Sequence, residues 1–348
     1  MDQEYEELEV VQGTGEILED TTRSGRKAPW KEKKAMNERI CSMFQNIAVR
    51  RAEHHLAPLM SGATFERLRD CGTFLQFAVD ASSEKRLHKA NFCGVRLCPM
   101  CQWRRSLAQF HVTQEQVTWM LQQKPETRFL FLTVTVRNCV PVDLSVTLDN
   151  LMQGFSRMVN QTSRLKRSIL MKRLHKTLLG SSRAVEVTYN TRTREMHPHI
   201  HAILAVKPSY FTNRNNYLSQ QQWVQLWQEA ARLDYEPSVD VRAIDATSPK
   251  IVAEASKYSA KLSNIVREYE NPEESELAEH ALEAMYLALK GRRLIALSGF
   301  FKDAQKALKQ EDVENKADLI HVDDEQDDFK PVEYQLFVWR ACVGAYVC

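Results

Sequence analysis

Two histidines lie two residues apart in the segment HPHIHAILAV, and their spacing could support metal chemistry. Side chains alternate along a strand, so His199 and His201 would project from the same face of a predicted strand. Two imidazoles on one face supply half of a divalent-metal site. His197 shares their parity and is a further candidate, although Pro198 interrupts the pattern. The spacing predicts a metal-binding strand.

The preceding strand, RAVEVTYN, offers a carboxylate ligand. If the hairpin turn centres near residues 192 and 193, Glu186 lies directly opposite His199. An acid in a largely apolar strand is costly unless something pairs with it. We therefore expect Glu186 to share one ion with His199 and His201, and His197 stays open as the alternative third ligand.

A tyrosine with charged neighbours follows in PKIVAEASKYSAKLSNIV. Glu254, Tyr258 and Lys261 fall on one face of a helix predicted over residues 250–269, and Lys257 lies beside them. Tyrosine ionises only near pH ~10, so a nucleophilic phenol needs nearby cations or a polarised phosphate. A carboxylate one turn away could serve later as a general base. The same spacing is common on ordinary helix surfaces, so it indicates a catalytic tyrosine only in combination with the histidine motif.

Four of the eight cysteines form a cluster within 31 residues: Cys71, Cys93, Cys98 and Cys101. The CPMC pair is typical of a zinc knuckle, and four protein ligands would make the zinc structural. The long gap before Cys93 leaves His88 as an alternative to Cys71 for the fourth ligand.

The surrounding pattern predicts the elements that position these groups. In FLFLTVTVR, residues 129–137, Thr133, Thr135 and Arg137 face away from the apolar side chains. Helices are predicted at residues 37–59, 103–122, 144–179 (interrupted by loops), 219–233 (capped by Ser219), 250–269 and 287–309, and strands at 129–137, 183–190, 197–206, 239–244 and the apolar C-terminal end.

The charge distribution is uneven. Residues 1–20 contain eight acids and no Lys or Arg, and residues 311–328 contain nine acids and one Lys. Because the net charge is +2, the remaining body is strongly basic, as in proteins that bind phosphate backbones. There is no membrane-spanning apolar run and no signal-peptide pattern, so we expect a cytoplasmic protein that contacts no membrane.

Together, FLFLTVTVRN, HPHIHAIL and KYSAK resemble, in order, the three motifs of the HUH endonucleases. NFCGVRLCPMCQWRRS and GRRLIALSGFFKDAQKAL are similar to segments of the plasmid rolling-circle replication initiators of that superfamily. The resemblance implies an α+β fold: a central antiparallel sheet with flanking helices (an HUH, ferredoxin/RRM-like palm) and an N-terminal cysteine-rich zinc segment. The expected divisions are a disordered tail (1–35), a helical and zinc-binding segment (36–108), the HUH endonuclease domain (109–275) and a C-terminal helical region with an acidic segment and a terminal strand (276–348).

The resemblance also implies a reaction. His199 and His201 would bind catalytic Mg²⁺ or Mn²⁺, and Tyr258 would attack the scissile phosphate of the double-strand origin. The products would be a 5′-phosphotyrosine and a free 3′-hydroxyl, with Glu254 driving a later terminating cleavage by water. The expected partners are origin DNA that is single-stranded at the nick, a host helicase and a host DNA polymerase. A homodimer is one candidate form.

Two other interpretations fit part of the sequence. A relaxase or an HUH transposase would use the same chemistry, but relaxases usually carry three-histidine motifs and N-terminal tyrosines. A non-catalytic zinc DNA-binding regulator would explain the cysteines and the basic body, yet it gives His199, His201 and Tyr258 no role.

Overall fold

The computed structural model describes residues 10–19, 28–160, 168–244, 259–314, 318–322 and 329–348. The helices are α1 Trp30–Glu53, α2 Gly62–Asp70, α3 Pro99–Gln123, α4 Leu144–Val159, α5 Ile169–Thr177, α6 Ser209–Thr212, α7 Gln220–Ala231, α8 Ser263–Tyr269, α9 Ser275–Leu289 and α10 Phe300–Ala307, with a 3-10 turn at Pro141–Asp143. The strands are β1 Val10–Val11, β2 Phe74–Asp80, β3 Lys85–Ala90, β4 Arg128–Thr135, β5 Leu178–Asn190, β6 Glu195–Val206, β7 Val239–Ile244, β8 Ser259–Lys261, β9 Ile295–Gly299, β10 Pro331–Arg340 and β11 Ala345–Val347.

The chain forms two compact units, residues 1–108 with 318–348, and residues 109–317. The C-terminal strands therefore belong to the first unit, while residues 276–317 belong to the second, instead of forming one separate region. Strand pairing explains this division, because β10 is hydrogen-bonded to β2 and β9 to β5. Both units contain helices and largely antiparallel sheets, which confirms the predicted α+β class.

The sheet of the first unit combines strands from both ends of the chain. Its order is β1-β10-β2-β3, with β11 beside β10 and β1 parallel to β10. On its core side, the Trp30 ring lies edge-on to Phe77 (5.9 Å) and to Trp103 (4.6 Å). Because Val10–Val11 pairs with β10 and α1 begins at Trp30, residues 1–35 are not a disordered tail throughout.

The sheet of the second unit has the order β7-β4-β6-β5-β8, and β9 also pairs with β5. One face carries buried aliphatic side chains, among them Leu132, Val134, Ile200 and Ala202. The other face begins as an apolar cluster that packs against α3 and α10: Val117, Met120, Phe129, Phe131, Ile203, Ala205, Phe300, Phe301 and Ala304. His199 and His201 lie on this same face, next to the apolar cluster along β6.

Three predicted helices overlap strands of the structure. Residues 259–261, expected within a helix, form β8 parallel to β5, and α8 begins only at Ser263. Residues 295–299 form β9 within the predicted helix 287–309. Gly299 has a φ of +51°, and a Cβ there would collide with the Leu179 carbonyl oxygen, so glycine allows the two strands to approach closely. The predicted helix 144–179 gives α4 and α5, and β5 already begins at Leu178.

Across the described ranges, none of the helices combines the length and apolar character that a bilayer span requires.

Candidate functional site

Glu186 on β5 and His199 and His201 on β6 converge on one point of the second unit. Glu186 pairs directly with His199 in the hairpin, so the predicted register is confirmed. Oε2 of Glu186 lies 3.2 Å from Nε2 of His199 and 3.2 Å from Nε2 of His201. The three potential ligand atoms lie within 4.8 Å of one another, and all three residues are buried. This group can hold a metal ion.

Hydrogen bonds to the other ring nitrogens set the direction of both imidazoles. Nδ1 of His199 lies 3.2 Å from the His197 carbonyl oxygen, which can only accept, so Nδ1–H donates and Nε2 faces Glu186. This Nε2 can bond to the carboxylate when it carries a proton and to a cation when it does not. Nδ1 of His201 lies 3.0 Å from the Thr133 hydroxyl, which can accept in the same way. When both Nε2 atoms are unprotonated, two lone pairs and a carboxylate face one another, an arrangement that a cation stabilises. The donor set therefore fits a metal ion.

The electrostatics of Glu186 agree with this assignment. Burial raises the pKa of its carboxyl group, but hydrogen bonds with His199 and His201 outweigh the burial and hold the pKa well below its usual range. Glu186 is therefore an ionised carboxylate in a buried setting. Phe131 stacks on the His201 ring with 5.6 Å between centroids and limits the rotation of that ring.

His197, the alternative ligand, lies beside this group and outside it. Its ring centroid is 5.0 Å from that of His199, and its Nδ1–H donates to Oδ1 of Asn138 at 2.7 Å. Burial and the nearby His199 lower the pKa of His197, so the ring favours its neutral form. Glu186, and not His197, lies close enough to His199 and His201 to be the third metal ligand.

The four predicted cysteines form a second centre, in the first unit. The Sγ atoms of Cys71 and Cys93 each lie 3.7 Å from Sγ of Cys101, and Sγ of Cys98 lies 3.4 Å from that of Cys71. A tetrahedron with metal–sulfur bonds of about 2.3 Å has edges of about 3.8 Å, so the spacing suits a single metal ion. Cys71 is thus the fourth member. His88 lies elsewhere, stacked on Tyr334 at 4.5 Å.

Backbone amides surround the sulfur atoms. The N–H groups of Cys93, Gly94 and Val95 donate to Sγ of Cys71, Cys101 and Cys93, respectively, each at 3.3 Å. Such donors favour thiolates over thiols. Hydrogen bonds from the other three cysteines lower the pKa of Cys101, and the Arg105 guanidinium acts in the same direction. The hydrogen bond with Cys101 raises the pKa of Cys71, and burial raises that of Cys98, so the negative charge is concentrated on Cys101. The cysteine cluster is therefore prepared to bind a cation.

The described part of the tyrosine segment begins immediately after the predicted nucleophile. Tyr258, Glu254 and Lys257 lie outside the described residues. Lys261 is exposed at the end of strand β8, so the helix predicted over residues 250–269 does not include it. In the parallel pairing of β8 with β5, the Cα partner of Ser259 is Glu186.

Thr133 is a site residue to which the sequence assigned no function. The alternation of side chains along the strand predicted the face on which Thr133 lies. Its pairing with His201 between β4 and β6 places it beside the histidines. Only the order of the strands in the sheet, which the sequence does not reveal, makes Thr133 a neighbour of the metal ligands.

The fold and the two residue groups define an α+β protein with two sites that could each hold a metal ion. The comparisons with known proteins identify its family. Residues 84–347 match the Replication protein family, so the chain belongs to this family. It is 30% identical to "Protein rep" of Streptococcus pneumoniae serotype 2 over 343 residues, covering 97% of this chain and 98% of that protein. It is 34% identical over 318 residues to "Protein rep" of Lactiplantibacillus plantarum, covering 89% of this chain and 91% of that protein.

"Protein rep" of Bacillus amyloliquefaciens is 32% identical over 354 residues, with 95% of this chain and 97% of that protein covered. No solved structure matches significantly. The family membership confirms the resemblance to plasmid replication initiators.

Proposed function

We propose that this protein starts rolling-circle replication of a plasmid by nicking one strand of the double-strand origin, with Tyr258 as the nucleophile. The observation that carries the proposal is the convergence of Glu186, His199 and His201 on one buried point. A purely DNA-binding regulator has no use for such a group. Family membership supports plasmid replication as the process.

Glu186, His199 and His201 would hold Mg²⁺ or Mn²⁺. Carboxylate oxygen suits both ions, and the two imidazoles favour Mn²⁺. A bound ion would neutralise charge on the scissile phosphate and polarise it. Three protein ligands leave coordination positions for DNA oxygens, whereas the four cysteines would enclose a structural Zn²⁺.

The chain's own groups carry the covalent step. The Tyr258 phenol loses its proton and its oxygen bonds to phosphorus, while the bond from phosphorus to the 3′-oxygen breaks and that oxygen takes up a proton. The products are a 5′-phosphotyrosine and the 3′-hydroxyl that primes a host polymerase. Support comes from connectivity, because Tyr258 directly precedes Ser259, whose backbone pairs with Glu186.

Three further residues have roles in this proposal. Lys257 and Lys261 stabilise the phenolate and the phosphate charge. Glu254 activates water for the terminating cleavage, after which the strand is closed. The partners are the plasmid origin, unpaired at the nick, with a host helicase and polymerase in the bacterial cytoplasm, and a homodimer is one candidate form.

The direct test replaces the nucleophile. We expect Tyr258→Phe to abolish nicking of a single-stranded origin oligonucleotide in Mn²⁺ while leaving its binding intact, because only the attacking oxygen is removed. Tyr217→Phe, at an exposed tyrosine (48% exposed), is the matched control and should nick normally.

Denaturing electrophoresis and mass spectrometry should find the wild-type chain attached to the 5′ end of the product. Nicking retained by Tyr258→Phe would refute the nucleophile assignment. Binding without any covalent adduct in the wild type would favour the regulator instead.

A further inference from the structure

Arg137, which follows β4, is held in place by an aromatic ring. Its guanidinium carbon lies 3.9 Å from the centroid of the Tyr235 ring. The backbone N–H of Arg137 also donates to the Tyr235 hydroxyl at 2.7 Å. The second contact holds the backbone at Arg137 against Tyr235 and does not involve the arginine side chain. The guanidinium is therefore not needed to hold this loop together.

The guanidinium has no carboxylate partner among the described residues. Arg137 is exposed and forms no ion pair within those ranges. Two other arginines of the second unit are neutralised, because Arg242 pairs with Asp240 at 2.9 Å and Arg292 with Asp149 at 2.8 Å. A planar cation that is fixed in direction but not neutralised is suited to bind an anion from solution.

Arg137 lies at the end of the metal-binding face. Thr135 pairs with His199, and Arg137 comes two residues later along the chain. The next residue, Asn138, accepts the hydrogen bond from His197, whose ring is 5.0 Å from the ring of His199. A continuous series of contacts thus connects the arginine segment with the metal ligands.

We propose that Arg137 binds a backbone phosphate of the single-stranded DNA that enters the metal centre, and that Tyr235 holds the guanidinium in position. This inference rests on the proposed nicking function. The guanidinium fork matches the geometry of phosphate oxygens, and a ring that fixes the fork in advance reduces the ordering cost of binding.

The test measures DNA binding without cleavage, in a chain that carries Tyr258→Phe. Fluorescence anisotropy of a labelled single-stranded origin oligonucleotide is followed in Mn²⁺ from about 50 to 200 mM salt. We expect Arg137→Gln to weaken binding about tenfold. The slope of log affinity against log salt should fall by about 0.7, the value for one lost phosphate contact.

Matched variants separate the guanidinium from general charge and from the fold. Arg128→Gln, at the exposed opposite end of β4, should bind like the parent. Arg137→Lys keeps the charge without the fork and should lose part of the affinity. Tyr235→Phe keeps the ring and should remain within about twofold of the parent, whereas Tyr235→Leu should resemble Arg137→Gln.

The proposal is overturned if Arg137→Gln, with an unchanged thermal melt, binds as tightly and with the same salt slope as Arg128→Gln. Nicking is measured in a separate experiment, with protein that retains Tyr258. Normal nicking together with unaffected binding in Arg137→Gln would refute this inference alone. Weaker binding in Arg137→Gln would uphold the phosphate contact even if no nicking were found.

Discussion

The three side chains of the metal group form a balanced set. Glu186 supplies one negative charge, and His199 and His201 each present Nε2 to its Oε2 at 3.2 Å. Thr133 and the His197 carbonyl fix both rings from behind. The affinity for a cation therefore depends on the single charge of Glu186 more than on the position of any one ring.

Replacing that charge tests the group at the scale of one residue. We expect Glu186→Gln to lower the affinity for Mn²⁺ at least tenfold, since losing even an outer-shell partner costs about 10–100-fold. The fold should persist, because glutamine is isosteric and can still bond to the imidazoles. Isothermal titration calorimetry measures the affinity, and Glu126→Gln, at an exposed turn, is the control. Equal Mn²⁺ affinity in the two variants would exclude Glu186 as a ligand.

The sequence could predict this residue because a hairpin is local. A turn near residues 192 and 193 fixes the register of both strands, and that register pairs Glu186 with His199. Thr133 could not be assigned in the same way, because β4 joins β6 through a pairing between residues far apart in the chain. Local geometry was predictable to the residue, and non-local pairing was not.

Among the helices, α7 helps to position β4, the strand that carries Thr133 and Thr135. Ser219 and Gln222 form a capping box at its N-terminus, as the predicted cap at Ser219 anticipated. The helix buries Trp227, whose indole N–H donates to the Thr135 carbonyl at 2.8 Å. Thr135 is the residue opposite His199, so α7 helps to hold the end of β4.

Removing the cap tests this support. We expect Ser219→Ala to lower the free energy of unfolding of the second unit by about 1 kcal/mol, because the first turn of α7 loses its acceptor. Urea denaturation followed by tryptophan fluorescence measures the change. Ser263→Ala, at the start of α8 where no side-chain cap bond is present, is the control. The capping argument fails if both alanine variants unfold at the same urea concentration.

Other elements could not be predicted from local sequence. The segment Ser259–Lys261 has no β-branched residue, and it becomes a strand because the edge of β5 is available for pairing. Residues 295–299 lie within a stretch that resembles an amphipathic helix, but they pair with β5 next to a glycine with positive φ. In both cases the partner strand, and not the segment itself, decides the conformation.

At the scale of the whole molecule, the acidic run near the C-terminus is partly structural. Glu314 is buried and accepts the backbone N–H of Leu294 at 2.9 Å, and Asp312 pairs with Arg293 at 3.1 Å. Farther along the chain, β10 and β11 complete the sheet of the first unit, where Ile17 bridges Val347. Composition could not reveal these contacts, because it records charge and not strand pairing.

The cysteine centre should therefore matter to one unit more than to the other. All four ligands belong to the first unit, and Lys34 adds a hydrogen bond to the Cys71 carbonyl at 2.9 Å. Structural zinc contributes on the order of 10 kcal/mol in small zinc-dependent domains. We expect Cys98→Ala to lose the bound zinc and to lower hydrogen-exchange protection in α2, β2 and β3, while the second unit keeps its protection and its Mn²⁺ affinity.

Elemental analysis and peptide-resolved hydrogen exchange on the full chain measure both effects. Cys342→Ala, at an exposed cysteine outside the cluster, should retain zinc and wild-type exchange. Unchanged zinc content in Cys98→Ala would contradict the ligand set. Protection lost equally across both units would instead mean that they unfold together, because a local metal centre can stabilise a distant element only through cooperative unfolding.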